Sequence, residues 1–385
     1  MSRAPVVIVG SGLAGWNVAR EFRKLDRDTP LVVISRDGAG FYSKPMLSNA
    51  LASGKTAASL VMKPADKMAA ELNATVHAET AVESIDSAAH TLTLVGGQTL
   101  AWRDLVLALG ADPIRLPLQG DAADTVLSVN DLGDYARFAE RLEGVKSVAL
   151  LGGGLIGCEF ANDLLARGIT PVVLDLADRP LPRLLPEAAS AWLRQRLEAA
   201  GVAFRFGVAA QRIDRAASGA LQVTLSDAST LEVDLVLSAV GLVPRTALAK
   251  AAGLEVKRGI VTDRLLATSV PHVYAMGDCA EVVGLSLPYV MPLMHQSRAL
   301  GATLAGTPTP VAYPAMPVTV KTPAAPTVVC PPPMGAVGEW QTEVDAAGCE
   351  ARFVDGAGQL LGFAVMGSAT ARKQALATQV PALLA

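Results

Sequence analysis

VVIVGSGLAG at residues 6–15 and VALLGGGLIG at residues 148–157 share one design. In each, four apolar residues lead into a G-x-G-x-x-G turn, after which apolar residues recur at helical spacing. The first Gly of this motif permits a tight turn, the second lets backbone approach a pyrophosphate, and the third lets helix and strand pack closely. The helix N-terminus then presents free N–H groups and a positive dipole end to the phosphates. The repetition predicts two dinucleotide sites on α/β units.

The two units differ at the end of their second strand, about 20 residues on, where a carboxylate is expected to bind a ribose hydroxyl. In the second unit that strand ends at Asp175, which predicts a hydrogen bond to the 2′-hydroxyl of NAD and repulsion of the 2′-phosphate of NADP. In the first unit the strand is followed by Ser35, Arg36 and Asp37. The expected acid is therefore either missing or displaced to Asp37. That Asp37 is simply an exposed residue of a turn is an equally good interpretation.

Chain length and the positions of Gly and Pro predict three domains, one inserted into another. At roughly 150 residues per domain, 385 residues exceed one hydrophobic core. Two further apolar strands, within residues 105–113 and 235–245, run into Gly and Pro, and the second dinucleotide unit lies between them. We expect a mixed α/β fold with two Rossmann-like domains and a small C-terminal α+β domain, in which VTV at residues 318–320 and TVV at residues 327–329 form short edge strands.

Composition and charge exclude several classes of protein. The chain is 51% apolar, 4% aromatic and 18% charged, which is typical of a globular protein and excludes disordered, collagen-like and disulfide-rich scaffolds. A formal net charge of -3 without a long basic run indicates neither a nucleic-acid partner nor an anionic membrane surface. There is no secretory signal pattern, and no apolar run reaches the ~18 residues of a membrane span, so we expect a cytoplasmic protein.

Further motifs carry a resemblance to a known family. Together with the two Gly-rich turns, the turn at residues 108–110 and YAMGDCAE at residues 274–281 resemble the flavoprotein disulfide reductase superfamily, over essentially the whole chain. YSKPML at residues 42–47, YVMPLM at 289–294 and PVTVKTP at 317–323 are similar to its pyridine-nucleotide-dependent rubredoxin reductases. The resemblance implies an FAD domain of residues 1–113 and 243–316, an inserted NAD domain of residues 114–242, and a C-terminal domain of residues 317–385.

The resemblance also assigns residues to the two cofactors, FAD and NADH, with NADPH disfavoured. Those implied for FAD are Gly10, Ser11, Gly12, Leu13, Ala14, Gly15, Ser35, Arg36, Lys44, Pro45, Val82, Leu109, Gly110, Glu159, Gly277, Asp278, Val290 and Lys321. Those implied for NADH are Gly152, Gly154, Leu155, Ile156, Gly157, Asp175 and Gly241. Leu109 stands where the family has Thr, so only a backbone contact is implied there. No metal site is implied.

Lys44, Glu159 and Lys321 are the predicted catalytic residues. Reduction of a flavin creates negative charge around N1 and C2=O of its pyrimidine ring, which a nearby cation or helix N-terminus stabilises. Pro292 suits the first turn of a helix whose N-terminus would point at that ring. In the family, the glutamate equivalent to Glu159 lies near the flavin and the nicotinamide, which makes Lys44 a candidate partner for it.

The positions of the four cysteines decide between chemistries. Cys158, Cys279, Cys330 and Cys349 are far apart and form neither a C-x-x-C pair nor a metal-ligand spacing. A disulfide reductase needs a cysteine pair beside the flavin, and residues 41–55 contain no cysteine. Electrons from NADH must then leave the flavin for an external acceptor. The resemblance then implies an NADH:rubredoxin reductase, in which hydride passes to flavin N5 and single electrons pass to rubredoxin, in a chain such as one feeding alkane hydroxylation.

Other functions remain open from the sequence. The nearest is a reductase for the [2Fe–2S] ferredoxin of a monooxygenase system. A second is a flavoprotein that responds to NADH without turnover, and a third is a quinone reductase at a membrane surface, which the polar residues 370–385 disfavour. For an acidic iron–sulfur carrier protein, we expect a local basic rim near the flavin edge and a small, transient interface.

Overall fold

The computed structural model describes residues 4–385, and its first segment is built on the first Gly-rich unit. A buried strand leads through the turn into a helix whose N-cap is Gly12. The elements of this segment are β1 (Val6–Val9), α1 (Leu13–Leu25), β2 (Leu31–Ile34), a 3-10 helix (Lys44–Asn49), α2 (Ala57–Leu60), α3 (Ala65–Leu72), β3 (Ala74–His77), β4 (Val82–Asp86), β5 (Thr91–Leu94), β6 (Thr99–Ala101), β7 (Asp104–Leu107) and β8 (Ala111–Pro113).

The next segment repeats this plan around the second unit, and the chain then returns to the first sheet. The elements of the second unit are a 3-10 turn (Ala123–Thr125), α4 (Leu132–Arg141), β9 (Ser147–Leu151), α5 (Leu155–Leu165), β10 (Thr170–Asp175), α6 (Glu187–Ala199), β11 (Ala203–Phe206), β12 (Ala210–Arg215), β13 (Leu221–Leu225), β14 (Thr230–Val233), β15 (Leu235–Ser238) and β16 (Leu242–Pro244). The returning elements are α7 (Ala247–Ala251), β17 (Ile260–Thr262), β18 (Val273–Ala275), a 3-10 turn (Gly277–Cys279), β19 (Ala280–Val282) and α8 (Val290–Leu304).

Two parallel sheets carry the two units. The first has five strands in the order β18-β7-β1-β2-β3, and the second has four in the order β11-β10-β9-β15. Each is accompanied by a three-stranded antiparallel sheet, β4-β5-β6 in the first and β12-β13-β14 in the second. Strands β8 and β16 pair antiparallel, so the two crossovers between the sheets run side by side. The Gly-rich turns follow the carboxyl ends of β1 and β9, where open α/β sheets bind ligands.

The C-terminal segment forms a separate antiparallel sheet. Its elements are β20 (Val318–Val320), β21 (Thr327–Cys330), β22 (Glu339–Val344), β23 (Gly348–Val354), β24 (Leu360–Gly367), a 3-10 helix (Ser368–Arg372) and α9 (Lys373–Ala377). The strand order is β20-β21-β24-β23-β22, so β20 is an edge strand as predicted. The same prediction is wrong for β21, which pairs with both β20 and β24 and buries Val328 and Val329 in different apolar clusters. Within residues 4–385, no helix is both long and apolar enough to cross a membrane.

Candidate functional site

Both Gly-rich turns have the geometry that their motif predicts. A Cβ on the third glycine, Gly15 or Gly157, would lie 1.8 or 1.9 Å from the carbonyl oxygen of the first, so no side chain fits there. On the second glycine, Gly12 or Gly154, a Cβ would meet no atom within 4 Å. That open space adjoins a helix N-terminus whose glycine N-cap has no side chain to accept a hydrogen bond from the first N–H groups. Both turns therefore fit the pyrophosphate of a dinucleotide.

Asp175 lies against the second turn. Its carboxylate accepts hydrogen bonds from the N–H groups of Gly153 (2.5 Å) and Ala177 (2.8 Å). Strand β10 thus ends with a carboxylate held beside the Gly-rich turn, where the dinucleotide motif requires a ribose ligand.

The first unit has serine at the equivalent position. The hydroxyl oxygens of Ser11 and Ser35 lie 2.5 Å apart, and Oδ1 of Asp37 lies 3.2 and 2.7 Å from them. Asp37 is exposed and also accepts a hydrogen bond from the N–H of Ala39 (2.9 Å). Asp37 thus lies in an exposed bend and also contacts Ser11 of the Gly-rich turn, which fits either interpretation that the sequence allowed, and Arg36 beside it is exposed.

Glu159 is a fully buried carboxylate on α5, 0% exposed. It accepts hydrogen bonds from the hydroxyl of Ser48 (2.6 Å) and the backbone N–H of Lys321 (2.9 Å), and it forms an ion pair with the ammonium of Lys321. A buried carboxylate needs such compensation, because its desolvation costs several kcal/mol. Segments distant in sequence thus converge on one side chain.

The expectation that Lys44 pairs with Glu159 is wrong. The ammonium of Lys44 donates to Oδ1 of Asn130 (2.7 Å) and lies 3.9 Å from the carboxylate of Asp278. Burial lowers the pKa of Lys44, and the negative charge of Asp278 opposes that shift. The reason for the different pairing is positional: Lys321 follows β20 directly and brings both its backbone and its side chain to Glu159, so that carboxylate is already occupied.

Arg245 joins the two crossovers, and it was not among the residues predicted for the site. Its guanidinium donates to the carbonyl oxygen of Leu109 (2.8 Å) and to the carboxylate of Asp112 in β8 (2.7 Å). Its backbone N–H donates to the carbonyl oxygen of Gly110 (3.0 Å). The turn at Leu109 and Gly110 is therefore held by Arg245 through the backbone carbonyl oxygens of both residues. An arginine directly after the second crossover, in Pro244-Arg245, was the available signal.

Gln296 holds the turn that carries Asp278. The N–H of Gly277 donates to Oε1 of Gln296 (2.7 Å), and Nε2 of Gln296 donates to the hydroxyl of Tyr313 (2.8 Å). Gln296 and Tyr313 are both buried. Gln296 lies on α8, which begins at Val290 and has Pro292 in its first turn as predicted.

Three more predicted residues have mainly backbone roles in the structure, and the carbonyl oxygen of Pro45 accepts a hydrogen bond from the hydroxyl of Ser48 (3.3 Å). Pro45 follows Lys44 in the 3-10 helix, and Val82 begins β4, where it pairs with Leu94. Gly241 accepts a hydrogen bond from the N–H of Ile114 (3.0 Å). The structure thus brings Lys44 to Asp278 and Glu159 to Lys321, and it leaves the contribution of Val82 and Gly241 to a cofactor site as a prediction.

All four cysteines lie in the described part of the chain, and each is free and buried. Burial raises the pKa of Cys158 to about 12 and that of Cys279, Cys330 and Cys349 to about 11. No thiolate nucleophile is therefore available at neutral pH. Among residues 4–385, no group of three or more His, Cys, Asp and Glu side chains could hold a metal ion.

Treatment of the folded protein with iodoacetamide at neutral pH should leave NADH-dependent turnover unchanged, because the thiols are buried and protonated. A reductive titration should consume two electrons per flavin, whereas a flavin with a redox-active disulfide consumes four. Inactivation by iodoacetamide before unfolding, or a four-electron end point, would contradict this prediction.

Replacing Asp175 with Ala should raise the KM for NADH and reduce the preference for NADH over NADPH, by about tenfold in the ratio of kcat/KM values. The physical reason is the loss of both the ribose ligand and the charge that repels a 2′-phosphate. Steady-state kinetics with both nucleotides measure the ratio, and Asp178→Ala, three residues away and exposed, is the control. An unchanged ratio would remove Asp175 as the ribose ligand.

Two family models match the chain. Residues 4–301 match the model described as pyridine nucleotide-disulphide oxidoreductase, and residues 310–380 match the model described as rubredoxin binding C-terminal domain. The second match begins before β20 and ends after α9, so it covers the C-terminal sheet and includes Lys321.

Curated relatives and solved structures extend over nearly the whole chain. The chain is 50% identical to rubredoxin-NAD(+) reductase of Alcanivorax borkumensis, with 99% of both chains covered. It is 46% identical to the protein of the same name from Acinetobacter baylyi, over 97% of this chain and 96% of that one. The ferredoxin reductase of the CYP199A2 system from Rhodopseudomonas palustris has a TM-score of 0.88 and 27% identity, over 98% and 96% of the chains. These likenesses confirm the predicted fold class.

Proposed function

The chain belongs to the pyridine nucleotide-disulphide oxidoreductase family, and on that premise we propose that it is an FAD-dependent reductase that takes electrons from NADH and passes them to rubredoxin. One observation carries the proposal: the segment matching the rubredoxin-binding domain contributes Lys321, which pairs with the buried Glu159 of α5. Relatives named rubredoxin-NAD(+) reductase, similar over their whole length, support the same acceptor. A reductase of this kind needs no redox-active disulfide, and no disulfide joins the four cysteines of the described chain.

The proposed cofactor sites follow from the two turns. FAD would be held by the first turn, with Gly277 and Asp278 facing it from the end of β18, in a domain made of residues 1–113 and 243–316. NADH would be held by the second turn and Asp175, in the domain of residues 114–242, and residues 317–385 would form the C-terminal domain. When bound, FAD accepts a hydride and releases its electrons singly.

The chain's own residues have two electrostatic tasks in this proposal. Lys44 and the N-terminus of α8 would stabilise negative charge at the flavin pyrimidine ring, because a cation and a positive helix end lower the energy of such charge. Glu159 holds Lys321 through both its ammonium and its backbone N–H, and so fixes that cation in place. We also propose a cytoplasmic location and a preference for NADH over NADPH.

The test compares two electron acceptors. The purified yellow protein is reduced anaerobically with NADH and mixed in a stopped-flow instrument with rubredoxin or with a [2Fe–2S] ferredoxin. We expect rubredoxin to reoxidise the flavin faster, and the rate to fall as ionic strength rises if an acidic carrier docks on a basic rim. Reoxidation insensitive to salt would refute that docking, and faster reaction with the ferredoxin would refute rubredoxin as acceptor.

A ferredoxin reductase is the second candidate, and the structural likeness to such an enzyme from Rhodopseudomonas palustris favours it. The same stopped-flow experiment separates the two acceptors. A reduced protein that neither carrier reoxidises would instead identify a flavoprotein that responds to NADH without turnover.

A further inference from the structure

One face of helix α5 carries three buried polar side chains that bind segments outside the second unit. They are Glu159, Asn162 and Asp163, which are 0%, 8% and 2% exposed. Their i, i+3, i+4 spacing puts them on the same side of the helix. Helix α5 starts at the Gly-rich turn of the second parallel sheet, so these side chains connect that turn with the rest of the molecule.

Asp163 binds the segment that begins at Lys44. Its carboxylate accepts hydrogen bonds from the N–H groups of Leu51 (3.0 Å) and Ala52 (2.8 Å), shortly after the 3-10 helix Lys44–Asn49. Oxygen Oε2 of Glu159 accepts from Ser48 within that helix (2.6 Å). Two carboxylates one helical turn apart therefore hold one short segment at three points.

Asn162 binds the segment that begins at Lys321. Its Oδ1 accepts a hydrogen bond from the N–H of Ala324 (3.0 Å), while Glu159 accepts from the N–H of Lys321 (2.9 Å). The two lysine-bearing segments, one from the first parallel-sheet domain and one from the C-terminal sheet, are thus both attached to α5.

Burying the carboxylate of Asp163 costs free energy, which suggests that Asp163 serves to fix the geometry of the segment that it binds. Burial raises the pKa of Asp163, and the N–H groups of Ala52 and Leu51 oppose that rise. Apolar residues of similar volume often stabilise a core as well as buried charges do. Charge-assisted hydrogen bonds, however, also fix direction and distance, which apolar contacts do less strictly.

We propose that Asp163 is a positioning residue for hydride transfer: assisted by Asn162, it sets the distance between the nucleotide held at the start of α5 and the flavin held beside Lys44 and Lys321. This rests on the proposed function. Hydride transfer requires reacting atoms within roughly 3–3.5 Å of each other, and a displacement of about 1 Å can slow a reaction 100-fold. A helix tied at one end to the nucleotide and along its face to the flavin side controls that distance.

The test uses Asp163→Ala and Asp163→Asn in the FAD-loaded full-length protein. Ser190→Ala is the matched control, because Ser190 is also fully buried in the inserted unit and its hydroxyl donates to the carbonyl oxygen of Pro180 (2.6 Å). Hydrogen exchange at the amides of Leu51 and Ala52 is measured without NADH. Anaerobic stopped-flow absorbance then gives the rate of flavin reduction at saturating NADH and the Kd for NADH.

We expect Asp163→Ala to slow flavin reduction at saturating NADH by about tenfold or more, with the Kd changed by less than about threefold. Exchange at Leu51 and Ala52 should accelerate, and Asp163→Asn should be intermediate because its amide oxygen still accepts one hydrogen bond. Ser190→Ala should lower the thermal stability without changing the rate or the exchange at these amides.

A normal reduction rate in Asp163→Ala, despite faster exchange at Leu51 and Ala52, would overturn the inference and leave Asp163 a structural residue only. Should Asp163→Ala fail to fold, Asp163→Asn applies the same criterion, and Asn162→Ala applies it with exchange measured at the amide of Ala324, which Asn162 binds. If NADH does not reduce the flavin of the unaltered protein, the proposed function fails instead, so the two failures are distinguishable.

Discussion

Replacing Lys321 with Met will destabilise the protein by about 3–5 kcal/mol, because the fully buried Glu159 loses its cation. The hydrogen bonds from Ser48 and from the backbone of residue 321 remain, but they leave the negative charge without a counterion. Urea unfolding measures the loss, and a destabilisation below about 1 kcal/mol would place this pair among weak, solvent-screened ion pairs.

The double variant Lys321→Met, Glu159→Leu tests whether this loss of stability comes from the unpaired charge of Glu159. Replacing both members of a buried ion pair with apolar residues is often neutral, so the double variant should recover most of the stability lost in Lys321→Met. The coupling in this double-mutant cycle should therefore be large. If the destabilisation of the double variant equals the sum of the destabilisations of Lys321→Met and Glu159→Leu, the two side chains do not depend on each other and the contact has another role.

The ion pair of Glu159 and Lys321 can also be tested for its proximity to the flavin. Lys321→Met leaves a negative charge and should make the bound flavin harder to reduce, whereas Glu159→Gln leaves a positive charge and should make it easier to reduce. The midpoint potential is measured by equilibration with a redox dye. Lys24→Met, which breaks an exposed ion pair with Glu21, is the control and should leave the potential unchanged. Absence of opposite shifts would remove Lys321 from an electrostatic role.

Two glycines of the second turn should respond to the same substitution in different ways. Gly157→Ala places a Cβ 1.9 Å from the carbonyl oxygen of Gly152, so backbone must move and the turn is lost. We expect strong destabilisation together with loss of NADH-dependent flavin reduction. Gly154→Ala meets no atom within 4 Å, and its effect on unfolding should stay within about 0.5 kcal/mol.

Gly154→Ala should nevertheless weaken NADH binding by about tenfold or more, because its methyl group fills the space where backbone approaches the pyrophosphate. Thermal unfolding and NADH titration separate the two effects. Gly12→Ala is the matched control in the first turn: it should reduce retention of FAD and leave the affinity of the FAD-loaded fraction for NADH unchanged. Normal NADH binding by Gly154→Ala would show that the nucleotide does not lie against this turn.

Much of the fold was predictable because it is encoded locally. A buried strand, a Gly-rich turn and a helix are contiguous in the chain, and the steric demand for Gly at positions such as Gly15 and Gly157 is met within a few residues. The absence of a suitably spaced cysteine pair is also a property of the chain alone, so the exclusion of disulfide chemistry needed no coordinates. The strand pairing of β21 was harder to predict, because a short edge strand and a short inner strand have similar sequences.

The two dinucleotide units, their α/β class and the lysines and glutamate available for the site are all encoded in short stretches of the chain. Which of these groups meet depends instead on contacts between segments that are far apart in the chain. Glu159 pairs with Lys321, which is 162 residues away, and Lys44 turns to Asn130 and Asp278. A buried carboxylate pairs with the cation that lies at the right distance and direction, and these depend on how two segments distant in the chain pack against α5.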